Sequence, residues 1–303
     1  MRLVYSDRYF ADLGQHVFPT VKYRLLKEKL IAEGIVSTSD LLVPQMASDE
    51  DILLVHEPEY LDKLKHGTLS PMEIYVMELP FTQAIYESFA LAAGGTVLAA
   101  RVALEDGMCF NLAGGFHHAF PDHGEGFCIL NDVAIAVARL VADAEVSRVL
   151  IVDCDLHQGN GTAAVFSGRR DVFTFSIHQE NNYPFVKPPS DLDIGLMDGT
   201  EGAEYNDYLV RSLPRIFDGF SPQFVMYLAG ADPYEGDQLG MLRLSKDDLR
   251  ERDRIVMSMA RDRGVPLCGV LAGGYAWRVE DTVEVHYNTI VAGKEILGLS
   301  ESR

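Results

Sequence analysis

Three residues that can bind a metal or move a proton, Asp153, Asp155 and His157, occupy alternate positions in the segment 149–161. The segment begins with the apolar run VLIV, which is typical of a strand buried on both faces of a parallel sheet. Because side chains alternate along a strand, the three polar side chains are predicted to leave on the same side. Buried unpaired charge is very costly, so this face needs a cation or a dense hydrogen-bond network. The pattern therefore indicates either a metal site or mutually satisfied polar residues at a strand end.

Three other predicted strands also end in residues that can do chemistry. In an open α/β sheet, ligands bind at the carboxyl ends of the strands. Each feature alone has an ordinary explanation, such as a turn cap, a core aromatic ring or a surface pair. Together at one edge of a sheet, they indicate an active site. The residues are His117 and His118 after strand 108–112, Asp232 after strand 224–231, and Tyr275 after strand 267–271.

The elements that must position these residues alternate between strand and helix. Such alternation predicts βαβ units, a mostly parallel sheet and helices on both faces, which is an α/β fold. With no repeat and no linker, we predict one domain over 1–303. Three stretches are less regular: 51–56 is predicted as a strand or buried turn, 67–81 as a surface loop, and 179–200 as an irregular functional segment. The predicted helices are 21–30, 57–65, 82–105, 131–143, 160–167, 203–218, 246–263 and 279–297; further strands are predicted at 2–6 and 172–178.

Composition limits the possible partners and location. A net charge of -19 and a pI of about 4.8 argue against nucleic acid as a partner, whereas a basic substrate would be tolerated. The N-terminus lacks the apolar core of a signal peptide. The most apolar stretch, 89–104, contains two glycines and Arg101, so we expect it to be too short and interrupted for a membrane span. The four cysteines show no Cys-x-x-Cys spacing, which indicates reduced thiols, a cytoplasmic protein and a metal held by oxygen and nitrogen.

The sequence resembles the histone deacetylase-like amidohydrolases of the arginase/deacetylase fold. The matching motifs appear in the family's order and span the chain from about 16 to 297. Among the subgroups of this family, the chain resembles the class IV histone deacetylases and their bacterial relatives. The resemblance implies a three-layer α/β/α fold. The motifs are GGFHHA at 114–119, GFC at 126–128, ND at 131–132, DCDLHQGNG at 153–161, SIH at 176–178, GAD at 230–232, GD at 236–237 and GGY at 273–275.

The resemblance implies a zinc ion bound by Asp155, His157 and Asp232. Zinc accepts carboxylate and imidazole ligands, and three protein ligands leave the open position that a catalytic site needs. Iron(II) can occupy the same ligand set. The resemblance also implies a structural monovalent cation, potassium, held largely through backbone oxygens of Asp153, Asp155, His157, Ser176 and Ile177.

The implied reaction is hydrolysis of an N-acyl amide, most simply an acyl-lysine in a protein or peptide. By resemblance, His118 is the general base and His117 its electrostatic partner. Asp153 should then hold His117, and Asn160 should hold His118. Because Asn160 stands where some family members have Asp, we expect a less raised pKa on His118. Tyr275 is expected to donate its hydroxyl to the developing oxyanion.

A narrow tunnel around the acyl-lysine stem is expected to be walled by Phe127 and by Tyr183 or Phe185. Gly115, Leu239 and Gly273 are expected to complete it. The segment 67–81 offers no match to the acidic residue with which class I enzymes grip a peptide. A small acylated amine or a long-chain acyl-lysine therefore stays open as substrate. The basic residue of the family's product channel falls near Lys22.

Competing functions are an acetylpolyamine or other small-amide hydrolase, and, outside enzymes, a metal-binding interaction module. An intact set of ligands, paired histidines and a tyrosine argues against the module, since a scaffold needs no proton-transfer group. An arginase-like ureohydrolase would hold two metals with more carboxylates. The oligomeric state is left open. His16, His56 and His66 are expected to be structural or solvated, and His123 and His178 to support the site or line its tunnel.

Overall fold

A computed structural model describes residues 1–299, so the last four residues of the predicted domain lie outside the described part. Within residues 1–299, eight strands form one sheet in the order β2-β1-β3-β8-β7-β4-β5-β6, and every neighbouring pair is parallel. The strands are β1 (Leu3–Val4), β2 (Leu41–Leu42), β3 (Met108–Asn111), β4 (Val149–Asp153), β5 (Val172–Gln179), β6 (Leu192–Leu196), β7 (Phe224–Leu228) and β8 (Leu267–Val270).

The same range contains ten α-helices. One set packs in the order α1, α10, α9 and α8, and a second contains the adjacent pair α5 and α6. The result is the three-layer α/β/α fold that the sequence predicted. The helices are α1 (Val21–Ala32), α2 (Asp49–Ile52), α3 (Pro58–His66), α4 (Pro71–Met77), α5 (Gln83–Asp106), α6 (Asp132–Ala142), α7 (Asn160–Val165), α8 (Gly202–Phe220), α9 (Lys246–Asp262) and α10 (Val279–Ile296).

Two local predictions were wrong, and a third was partly correct. The segment 67–81 contains α4, whose first residue is Pro71 and whose N-cap Ser70 forms a reciprocal capping box with Glu73. The segment 179–200 contains the edge strand β6. For 51–56, where a strand or a buried turn was expected, the turn is correct, because α2 ends at Ile52 and turns follow it. The two segments predicted as loop or irregular are partly regular because α4 has a capping box at its start and β6 pairs with β5.

The long helix predicted over 82–105 is present as α5, Gln83–Asp106. By length and composition alone it is apolar enough to cross a membrane, although the sequence suggested that the stretch is too short and interrupted. Of its most apolar window, 72% is buried, and the helix packs against β3, β8 and α6. Its apolar character is therefore that of a core helix lying on the sheet.

Candidate active site

The carboxyl ends of five adjacent strands, β3, β8, β7, β4 and β5, bring the predicted site residues to one edge of the sheet. The sequence analysis placed Asp153, Asp155 and His157 on one face by alternation along a single strand. That reason was partly wrong, because β4 ends at Asp153 and the other two residues lie beyond it. Asp155 and His157 belong to the turn before α7. Their proximity comes from hydrogen bonds within that turn, because Asp153 Oδ1 accepts from Asp155 N (3.1 Å) and Asp155 Oδ1 accepts from His157 N (2.9 Å).

Asp155, His157 and Asp232 form a buried cluster whose ligand atoms all lie within 4.8 Å of one another. His157 Nδ1 is 3.1 Å from Asp155 Oδ1 and 3.3 Å from Asp232 Oδ2. Burial would raise the pKa of Asp155, but nearby His117 and His157 outweigh it and lower that pKa. Burial and the charge of Asp155 raise the pKa of Asp232. Two buried carboxylates this close favour a bound cation.

Backbone groups hold the two carboxylates and leave one oxygen free. Leu156 N donates to Asp232 Oδ1 (3.0 Å), and Gly273 N donates to Asp155 Oδ2 (2.8 Å). Among the described residues Asp232 Oδ2 has no hydrogen-bond partner. A Cβ on Gly273 would lie 1.9 Å from that same oxygen, so only glycine keeps this space open. The orphaned oxygen, the open space and the Asp-His-Asp donor set fit a divalent cation such as zinc.

The paired histidines lie beside this cluster and have different partners. His117 Nδ1 is 2.7 Å from Asp153 Oδ2, and His118 Nδ1 is 2.6 Å from Asn160 Oδ1, as the resemblance implied. Their Nε2 atoms are 3.0 Å apart, which is within hydrogen-bond distance. His117 Nε2 is also 3.7 Å from Asp155 Oδ1.

The environments of the two histidines separate their pKa values. Burial would lower the pKa of His117, but Asp153 and Asp155 outweigh it and raise that pKa to about 9. Burial and the positive charge of His117 and His157 lower the pKa of His118 well below its usual range. At neutral pH, His117 is therefore the charged ring and His118 the neutral ring. The hydrogen bond with Asn160 acts to raise the pKa of His118, but burial and the two neighbouring histidines outweigh it.

Tyr275 lies on the other side of the cluster, with its ring centroid 6.5 Å from that of His157. Its amide N donates to Asp237 Oδ2 (2.7 Å). This bond fixes the backbone just after Gly273 and Gly274, in the loop that follows β8. The ring also contacts Phe18 and Phe127 edge-on. The phenol is thus held rigidly beside the ligands, where a hydrogen-bond donor to an oxyanion is useful.

A cavity of about 240 Å³ leads from the surface to the ligands. Phe127, Tyr183 and Leu239 line it, as predicted, whereas Phe185 is fully exposed and takes no part. Gly115 and Gly273 line a deeper space behind it. Gly115 has φ +87°, and a Cβ there would lie 2.5 Å from Ala272 Cα, so this position also requires glycine.

The sequence analysis missed two carboxylates: one lines the cavity, and the other is bonded to a residue of its wall. Glu78 lines the cavity from the end of α4, in a left-handed conformation (φ 56°) that brings it to the rim. Glu125 accepts hydrogen bonds from Asn160 Nδ2 and Tyr183 Oη, each at 2.7 Å. The signal for Glu125 was its place next to the GFC motif; Glu78 had no signal, because α4 itself was predicted as a loop.

The remaining predicted residues take these positions. Ser176 lies on β5 directly beside Asp153, and Ile177 follows it, so both are near the site. His178 and His56 are buried, and His56 accepts from Asn131 N at the start of α6. His66 is exposed, His123 is near Glu125, and His16 packs on Phe127, which places His16 near the cavity mouth.

Lys22 is fully buried behind Tyr275. Its Nζ donates to Ala272 O (2.8 Å) and lies 5.8 Å from the Tyr275 ring centroid. Burial lowers its pKa to about 8, although Asp232 and Asp155 act in the opposite direction. Lys22, near which the resemblance put the basic residue of the product channel, therefore lies next to the site.

Comparisons with known proteins agree with this geometry. A family model described as histone deacetylase domain matches residues 16–290. An uncharacterized protein of Picosynechococcus sp. is 40% identical over 285 residues, 94% of this chain and 95% of that protein. Histone deacetylase 2 of Arabidopsis thaliana is 32% identical over 287 residues, 90% of this chain and 74% of that protein. A histone deacetylase-like amidohydrolase of Pseudomonas aeruginosa is 30% identical over 281 residues, 88% of this chain and 74% of that protein.

Proposed function

The chain belongs to the histone deacetylase family, and from that premise we propose that it is a zinc-dependent amidohydrolase that removes acetyl groups from lysine side chains. One observation carries the proposal: the ligand atoms of Asp155, His157 and Asp232 lie within 4.8 Å of one another. A neutral histidine and a buried phenol flank them at the base of a cavity. That arrangement has the parts that amide hydrolysis needs and that a binding module lacks.

In this proposal Asp155, His157 and Asp232 hold zinc, with iron(II) as the alternative occupant. When bound, the ion polarises the amide carbonyl and makes a water more acidic. A potassium ion near Asp153 and Ser176 is proposed as a structural partner of the site. Both assignments are checked by elemental analysis of the purified chain, where one divalent ion per chain also excludes a two-metal ureohydrolase.

The chain's own residues divide the proton transfer between them. His118 is neutral and accepts a proton from water at Nε2, since Asn160 occupies its Nδ1. His117 stays charged against Asp153 and stabilises negative charge beside it. His118 then returns the proton to the departing amine, and Tyr275 donates its hydroxyl to the oxyanion.

The size of the deeper space supports acetyl as the acyl group. This space is a separate pocket of about 20 Å³ that adjoins the cavity, sharing His118, Phe127 and Tyr275 with it. It is also bounded by Phe18 and Phe116. A space of that size holds roughly one water-sized group, since one water needs about 10–15 Å³ measured in this way. A methyl group fits there, whereas a long alkyl chain requires the two aromatic rings to move.

A small acylated amine is the second candidate, and Glu78 is the observation that favours it. Its carboxylate at the cavity rim can attract the free ammonium of an acetylated diamine. A peptide substrate would instead use the same carboxylate for a backbone amide or a basic flanking residue.

The experiment that separates these candidates uses the zinc-reconstituted chain on acetyl-, butyryl- and myristoyl-lysine peptides and on acetylputrescine. We expect kcat/KM to be highest for the acetyl peptide and to fall as the chain lengthens. His118→Ala and Asp232→Ala serve as inactive controls. Faster turnover of the myristoyl peptide or of acetylputrescine contradicts the proposed substrate, and no turnover of any amide contradicts the function.

We also propose a cytoplasmic location. Its support is that all four cysteines are buried free thiols, which suits a reducing compartment. Fractionation of cells that express the full-length protein is the test, and recovery from an oxidising compartment contradicts it.

A further inference from the structure

Glu125 lies directly behind Asn160, the residue that holds His118. Its side chain is 21% exposed, and it contacts Tyr183, which lines the cavity. Oε1 accepts from Asn160 Nδ2 and from the Tyr183 hydroxyl, and Asn160 Oδ1 in turn meets His118 Nδ1. A continuous line of hydrogen bonds therefore runs from Glu125 through an amide to the imidazole.

The carboxylate decides which way the amide of Asn160 points. An asparagine side chain offers an acceptor on one side and two donors on the other, and an ionised carboxylate can only accept. The amide nitrogen of Asn160 must therefore face Glu125, and its oxygen must face His118. His118 then has to donate from Nδ1, which leaves Nε2 as an acceptor. Without Glu125 the amide can turn over and offer a donor to His118, so that Asn160 no longer holds His118 in the Nδ1–H tautomer.

The same carboxylate oxygen also holds a wall of the cavity. The Tyr183 ring lies edge-on to His118, with centroids 4.9 Å apart. Its hydroxyl is 2.7 Å from Glu125 Oε1. One acceptor thus fixes both the group that orients His118 from behind and the ring that packs against its face.

We propose that Glu125 is a positioning residue for the hydrolysis, acting through Asn160 and Tyr183 to keep His118 in one tautomer and one place. The proposal rests on the proposed function, in which His118 is the general base. Direct binding of a cationic substrate by Glu125 fits the contacts less well. Oε1 already accepts two hydrogen bonds, and Oε2 lies 3.4 Å from His123 Nε2.

The first test compares Glu125→Ala with Glu125→Gln in the zinc-loaded, full-length chain. We expect Glu125→Ala to lower kcat on an acetyl-lysine peptide by about 10- to 100-fold, part of the ~10²–10⁴-fold that a general base contributes. KM should change much less. Glu125→Gln keeps an acceptor oxygen and should recover most of kcat. Glu59→Ala, at an exposed carboxylate on α3, is the matched control. Equal kcat for Glu125→Ala and the wild type overturns the proposal.

The second test reverses the hydrogen-bond pattern. Asn160→Asp places one carboxylate against another where the present contact is 2.7 Å, so kcat should fall. Adding Glu125→Gln supplies a donor, and the double variant should be more active than Asn160→Asp alone. A double variant no more active than Asn160→Asp contradicts the proposal. Melting temperature and zinc content are measured for each variant, so that a loss of kcat is compared only among folded, loaded chains.

The third test reads the tautomer without any activity. Nitrogen chemical shifts of ¹⁵N-histidine-labelled protein, with His118→Ala to assign the signals, distinguish Nδ1–H from Nε2–H. We expect His118 to carry Nδ1–H in the wild type and in Glu125→Gln, and to lose this preference in Glu125→Ala. An unchanged tautomer in Glu125→Ala overturns the proposal. If the wild type hydrolyses no amide, the proposed function fails, while this measurement still decides the role of Glu125.

Discussion

At the scale of single residues, the two adjacent histidines differ because of what lies behind them. His117 faces a carboxylate and His118 faces an amide. Burial penalises a charge on both rings, and only the carboxylates near His117 overcome that penalty. At neutral pH one ring is therefore charged and its neighbour in the sequence is neutral. This difference suits a division between base and electrostatic partner.

Tyr275→Phe tests the proposed oxyanion donor. The change removes one hydroxyl and leaves the ring packed on Phe18 and Phe127. We expect kcat to fall by about 10²–10³-fold, the usual effect of losing one such donor. Steady-state kinetics and zinc content are the measurements, and zinc content should stay at the wild-type level. Near-normal turnover would refute the role.

Lys22 should make stability depend on pH in the alkaline range. Burial lowers its pKa from 10.5 to about 8 in the folded chain. Between these values the unfolded chain keeps the proton and the folded chain does not, so unfolding free energy rises with pH. The full effect corresponds to about 3 kcal/mol.

The measurement for Lys22 is chemical unfolding of the wild type and Lys22→Met between pH 8 and 10.5, both with a chelator. We expect the wild type to gain stability relative to the variant across this range and the difference to be constant below it. Lys65→Met, at an exposed lysine on α3, is the control and should show a flat difference from the wild type. A flat difference for Lys22→Met as well would contradict the lowered pKa.

At the scale of elements, the strands under the site were the easiest part to predict. Runs such as VLIVD in β4 are apolar at every position because both faces are buried, and that pattern is visible without a structure. Strand β6 was missed because it lies at the sheet edge with alternate residues exposed, and it contains Asp193 and Gly195. Helix α4 was missed because Pro71 was taken as a loop signal, although proline at the first helical position favours a helix start.

Helix α9 supports the two loops that carry Asp155 and Asp232. Arg252 is fully buried, and its Nη1 donates to Cys154 O (3.2 Å) and Gly230 O (2.5 Å), next to the loops that carry Asp155 and Asp232. Its guanidinium is paired with buried Asp253. One arginine therefore ties the ends of β4 and β7 together beneath the proposed metal ligands.

We expect Arg252→Met to lower the free energy of unfolding by about 3–5 kcal/mol, because it leaves the buried carboxylate of Asp253 without its charge partner. Zinc affinity should weaken as well, since the two loops lose their common anchor. Chemical unfolding and competition with a zinc chelator measure these effects. Arg250 is on the same helix as Arg252 and forms a partly exposed ion pair with Glu295 of α10. Arg250→Met should lower the free energy of unfolding by less than about 1 kcal/mol. Equal effects of the two substitutions would contradict the anchoring role.

At the scale of the whole molecule, the sequence predicted which strand ends carry chemistry but not how they meet. Asp155 and Asp232 come together because β4 and β7 are neighbours in the sheet, an order that spacing along the chain does not contain. The resemblance to a known family supplied the ligand set and the partners of the histidines. It did not supply Glu125 or Glu78, which depend on the shapes of the 122–128 loop and of α4 in this chain.

The overall charge of the molecule leads to a prediction about salt. The chain carries a net charge of -19, and Glu78 adds a carboxylate at the cavity rim. Such a field raises the local concentration of cationic substrates and is screened as ionic strength rises, with a Debye length of about 10 Å at 0.1 M. We expect kcat/KM for an acetyl-lysine peptide with arginine flanks to fall by about tenfold between low and high salt. A peptide with neutral flanks should change little, and Glu78→Gln should reduce the salt dependence of the basic peptide. Equal salt dependence for both peptides would show that the acidic surface serves solubility alone.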